Sequence, residues 1–156
     1  MKSRILFVAT IVVALMSGAS SCEKNNQRCG EKNNSATGSN RSHNVGQNCM
    51  NCHQEGGSGE GCFIVAGTTF NSSGSTAYPN AIIKLYTQPN GGGTLAATIE
   101  GDAKGNFHST DNLDFGSGLY PVVNNTLGQS VYMSSAITQG ACNSCHGVNQ
   151  DRISTF

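Results

Sequence analysis

The sequence predicts a mainly β protein, a small antiparallel sandwich flanked by two short cysteine-bearing segments. Three observations carry that prediction. Residues 63–137 alternate short runs of β-branched and aromatic residues with turns rich in Gly, Asn and Pro. No stretch shows the apolar period of an amphipathic helix. A C-x-x-C-H pentapeptide stands on either side of this region, Cys49-Met50-Asn51-Cys52-His53 before it and Cys142-Asn143-Ser144-Cys145-His146 after it.

The chain opens with Lys2 and Arg4, an apolar run from Ile5 to Met16, and small residues leading to Cys22. The run is too short to span a bilayer as a finished anchor, so residues 1–21 read as an export signal. Cys22, directly after the small residues, resembles a lipoprotein cleavage site and is the candidate lipidation site, although Ala19 stands where that motif usually has leucine. Such a chain belongs in the bacterial cell envelope, on its periplasmic or outer face, held to the membrane by the lipid. The whole chain has 9 basic and 9 acidic residues. Losing Lys2 and Arg4 leaves a small negative charge and no basic patch, which excludes nucleic acid as a partner class.

Residues 22–42 are Asn, Ser, Gly, Glu and Lys with almost nothing apolar, and are expected to form a lipidated flexible tether. Residues 43–62 are the first motif segment: His43, the pentapeptide, and a glycine-rich run from Gly56 to Gly61. That run either lets backbone approach closely or is a plain loop. Within the sandwich, Phe63–Phe70 is the first strand, followed by Ala81–Thr87 with Ile83 and Leu85 on one face. A turn at Pro89–Gly93 leads to a third strand with Leu95, Ala97 and Ile99 on one face. Gly101–Gly105 is expected to close a hairpin into Asn106–Ser109. Further runs cover Leu119–Val123 and Ser130–Ile137. Residues 138–156 hold the second motif and a polar tail.

C-x-x-C-H is the attachment signature of c-type haem: two thiols placed to form thioethers, and a histidine placed to ligate the iron. Two C-x-x-C pairs could instead hold a structural zinc, or either could be a redox dithiol, but neither chemistry requires a histidine after each second cysteine. With 4 histidines in 156 residues, chance puts one after a given cysteine about once in 40, and after both about once in 1,500. The expected cofactors are therefore two covalently attached c-type haems. Cys49, Cys52, Cys142 and Cys145 provide the attachment and His53 and His146 the proximal ligands. His43 and His108 are the candidate distal ligands, in that order, with Met133 as the alternative. Of the remaining cysteines, Cys29 and Cys62 either form a disulfide or are a loose and a buried thiol.

Ala66-Gly67-Thr68, Pro79-Asn80-Ala81-Ile82-Ile83 and Asp102-Ala103-Lys104-Gly105-Asn106-Phe107 resemble the carboxypeptidase regulatory-like (transthyretin-like) β-sandwich. The resemblance implies that Gly105 takes a turn and Phe107 packs inside. The layout as a whole, with Ser42-His43-Asn44 leading into the first motif, is similar to small exported multihaem cytochromes with an embedded β domain. It implies electron transfer between periplasmic or cell-surface redox proteins, with self-association into haem stacks as a further mode, and no enzymatic activity. Two other readings stay open. A dihaem peroxidase would need a five-coordinate iron and a distal acid–base group. A binding module would use Tyr78, Tyr86, Tyr120 and Tyr132 as its face and the haems as staples. Both motifs flank one domain, so the haems are expected together at one end of the sandwich.

Overall fold

The computed structural model describes residues 29–156. The export signal and Cys22 lie outside the described residues. Among the described residues, eight strands form two four-stranded sheets. The first holds β1 (Val65–Phe70), β4 (Asn106–Ser109), β7 (Gly140–Ala141) and β8 (Ile153–Ser154). The second runs β3 (Gly92–Glu100), β2 (Ile82–Gln88), β5 (Tyr120–Asn124), β6 (Ser130–Tyr132), antiparallel throughout. Val65 and Phe107 of the first sheet meet Ile83, Leu85, Ile99, Leu119 and Val123 in a common core. The chain is thus the mainly β sandwich its patterning predicts, with Ile83 and Leu85 buried and their neighbours turned away.

The first sheet is mixed rather than purely antiparallel. β4 pairs β1 antiparallel along Val65–Thr68, while β7 and β8 both run parallel to β1. The second motif segment therefore does not merely follow the sandwich; its two ends are strands of it. Each is two residues long, too short for any alternation to show in the sequence.

The expected hairpin at Gly101–Gly105 is instead a corner between the sheets: β3 lies in the second and β4 in the first, linked only by a Gly101–Phe107 bridge. A period of two identifies strands but not their partners. Asp102 shapes the corner, accepting at Oδ1 from the N–H groups of Lys104 and Asn106 at 2.9 and 3.0 Å. Gly105 has φ +83°, and a Cβ there would stand 3.0 Å from the carbonyl oxygens of Thr69 and Tyr78. Phe107 is 1% exposed. Both residues hold the places expected of them.

In the tether expected over 22–42, the described residues are held against the sandwich. Cys29 and Cys62 are joined as a disulfide with Cα atoms 4.5 Å apart. Residues 33–39 are bonded along the far edge of β4 and its corner. Ser35 N–H donates to the His108 carbonyl at 2.9 Å, Asn33 N–H to Thr110 Oγ1 at 2.9 Å, and Ala103 N–H to the Ser39 carbonyl at 2.7 Å. An uncovered strand edge offers backbone groups that Asn and Ser satisfy as well as a strand would. Low hydrophobicity is therefore no measure of this segment's order.

Candidate functional site

The two pentapeptides are built alike. In each, the first cysteine starts a single helical turn, Cys49–Asn51 or Cys142–Ser144. The Cys52 and Cys145 N–H groups reach back to the Cys49 and Cys142 carbonyls at 3.2 Å, and those of His53 and His146 to the same carbonyls at 3.0 Å. All four motif cysteines are free thiols. The histidines match as well. His53 Nδ1 lies 2.8 Å from the Glu60 carbonyl oxygen, and His146 Nδ1 lies 2.6 Å from that of Asp151. A carbonyl only accepts, so Nδ1 carries a proton in both rings, and in the neutral ring Nε2 keeps its lone pair for a metal. The glycine-rich run makes the close approach its composition allows. A Cβ on Gly59 would stand 2.6 Å from His53 Nδ1, so only glycine lets backbone pass against that ring.

Both motifs hang from β1, which is buried along its whole length because each of its faces is covered. Thr68 is the shared anchor. Its N–H donates to Asn143 Oδ1 at 2.9 Å, so a side chain from inside the second motif fills the ladder gap between β7 and β8. Its hydroxyl accepts from Gly46 N–H at 3.0 Å and donates to Asn106 Oδ1 at 2.6 Å. The Asn106 amide in turn donates to Ser42 Oγ at 2.9 Å and the His43 carbonyl at 3.1 Å. Sequence reasoning missed Thr68, Asn106 and Asn143, and neither composition nor spacing carries a signal for them. The segment leading into the first motif is tied to Thr68 of β1 and Asn106 of β4, and the second motif continues directly from β7. Burial pushes the Cys142 thiol up to about 12, with the Cys49 thiol contributing, and burial also raises Cys49.

Three histidines gather on the first side. The His43 and His53 rings are 5.9 Å apart, centre to centre, and tilted by 35°. Two imidazoles sharing one metal, with bonds of about 2 Å each, have ring centres about 6 Å apart, so the pair fits a common iron. His53 is stacked on Phe63 at 4.1 Å, and Phe63 on His108 at 4.4 Å. His108 points outward from the sheet as its register requires, but the Phe63 ring separates it from His53 and its Nε2 faces Asn33 Oδ1 at 3.2 Å. As a candidate distal ligand it is already engaged beneath the N-terminal arm.

Burial lowers the His108 pKa to about 4, opposed by Asp102 and helped slightly by His53 and His43. The unfolded chain binds this proton near pH 6.5 and the folded one only near pH 4, so the stability is complete above about 6.5 and declines as the pH falls toward about 4. His108→Gln should flatten that decline in thermal melts taken across this window; an unaltered slope would show that His108 is not its source.

The second motif opens on a cavity of about 680 Å³ between the sheets, within the ~300–1,000 Å³ usual for cofactor sites. Val65, Leu85, Phe107 and Val131 supply apolar wall, and Met133, Cys142, Cys145 and His146 also line it. Its size, apolar wall and motif residues fit a haem. Among the described residues no group of three or more His, Cys, Asp or Glu is gathered to hold a metal ion. The four thiols thus do not form the zinc arrangement, whereas a haem iron takes four ligands from its own ring and needs one or two side chains. Among the tyrosines, Tyr86 stands opposite Tyr120, and the Tyr78 hydroxyl is bonded to Thr126 Oγ1 at 2.6 Å.

No protein-family model matches the chain, and no curated protein or solved structure matches it either. Function is therefore argued from the two motifs and what surrounds them.

Proposed function

We propose that this chain is a dihaem c-type cytochrome that carries electrons between redox proteins of the cell envelope, with Cys22 as its lipid anchor. The observation that carries the reading is the matched pair of histidines, each following a C-x-x-C pair of free thiols with Nδ1 on a backbone carbonyl, the arrangement that leaves Nε2 of a neutral ring for a metal. Cys49 and Cys52 would hold one haem and Cys142 and Cys145 the other, with His53 and His146 as proximal ligands. His43 supports the same reading as the distal ligand opposite His53, because its ring stands at the separation a shared iron needs. Bound haem supplies an iron that changes charge by one electron with little rearrangement when both axial positions are filled.

The chain's own contribution is positional. Backbone carbonyls fix the two proximal imidazoles, Thr68 ties both motif segments to one strand, and core residues of the sandwich supply apolar wall at the second site. Filling the first iron's distal position with His43 leaves no place there for peroxide, which favours a carrier over an enzyme. The transthyretin-like sandwich then serves as the scaffold that sets two haems side by side. Envelope redox proteins, or further copies of the chain, are the natural partners.

Reversible reduction and reoxidation in two one-electron steps, with negligible peroxide turnover, is the expected behaviour in a spectroelectrochemical titration. His43→Ala should turn one haem high-spin and leave the other unchanged. Rapid peroxide consumption by the wild-type protein, or a low-spin spectrum indifferent to His43→Ala, would count against the assignment.

A further inference from the structure

We infer that the two haems are unlike: the second is closed by a thioether, Met133 Sδ opposite His146, whereas the first is closed by His43. This rests on the dihaem reading and deepens it. The cavity at the second motif is lined by His146 together with Cys142 and Cys145, and no other histidine lines it. His43 and His108 both belong to the outward face of the first sheet, with the Phe63 stack and the N-terminal arm. Met133 does line the cavity, half-buried, and a thioether is a soft ligand suited to haem iron.

The backbone holds Met133 where that role needs it. Its N–H donates to the Pro121 carbonyl at 3.0 Å, immediately after β6 ends. Four residues later Ile137 pairs with Leu119 through two backbone bonds of 2.8 and 2.9 Å. Residues 133–137 are thus a short arch, pinned at both ends, along the wall facing the motif. Gly118 (φ +123°) lets the arch sit close, since a Cβ there would stand 2.7 Å from that of Ala136.

The difference has a direction. Methionine ligation raises an iron's potential relative to ligation by two imidazoles. Electrons entering at the first haem therefore settle on the second, which makes the pair a polarised relay rather than two equivalent stores.

The test uses the purified ferric dihaem protein and its Met133→Leu and Met133→His variants. The wild type should show a weak absorption band near about 695 nm, the mark of methionine on ferric haem. Met133→Leu should abolish the band, turn one haem high-spin and shift one potential downward without moving the other. Met133→His should also abolish the band and lower the same potential while staying low-spin, which keeps the test valid if the leucine variant folds poorly. A protein that carries two covalent haems but lacks the band, or keeps it in both variants, overturns this inference and leaves the carrier reading standing. A protein without two covalent haems defeats the carrier reading itself.

Discussion

Gly140→Ala should unseat the second C-x-x-C-H motif while sparing the first. A Cβ at Gly140 would stand 2.1 Å from the Ile64 carbonyl oxygen and 2.6 Å from the Val65 Cα. Both are backbone atoms, so no rotamer change relieves the contact, and β7 must lift from β1. β7 ends at Ala141, one residue before Cys142, so the motif moves with it and the Thr68 to Asn143 bond at 2.9 Å is lost. The cysteines are intact and both haems should stay attached. One of them should lose its native low-spin spectrum, and stability should fall by about 3 kcal/mol, the upper end for overpacking. The first site is held separately through Gly46 and Asn106, so its spectrum should persist. A variant with both spectra and its melting temperature unchanged would mean that the β7–β1 pairing does not position the motif.

Phe107→Ala should give the largest loss of stability from a single side chain, about 3–5 kcal/mol in a denaturant titration. The ring is 1% exposed and is the largest fully buried side chain in the described residues. It passes directly under Gly67, where a Cβ would stand 2.5 Å from its Cζ, and it forms part of the cavity wall at the second motif. Removing it leaves a void that the strands above cannot fill and enlarges the cavity at the second motif, where the dihaem reading places a haem. The second haem's potential should therefore move as well. A loss below about 1 kcal/mol would show that the core closes over the gap and that Phe107 is not the keystone of this packing.

Fold class was legible in the residues because it is written in their period. C-x-x-C-H names its own geometry, and the alternation around Ile83 and Leu85 marks a half-buried strand wherever it pairs. What depends on partners was not legible. β7 and β8 are two residues each and exist only because β1 has a free edge there. The corner at Asp102–Gly105 carries the same Gly and Asp as a hairpin turn, and only the destination of β4 separates the two. The arm over 33–39 contains almost nothing apolar and is held by hydrogen bonds to an edge that no local pattern announces. His108 and Met133 show the same limit at the site. Spacing treated them as rival ligands, yet one lies behind Phe63 under the arm and the other lines the cavity beside His146.

The most direct test of the central claim is the intact mass of the protein purified from a host that attaches c-type haem, taken after acid-acetone extraction. The account predicts a mass increased by two haems, and replacing Cys52 or Cys145 by alanine should weaken attachment at that site alone. Extraction that strips all haem, or a chain that never carries more than its own mass, would contradict it.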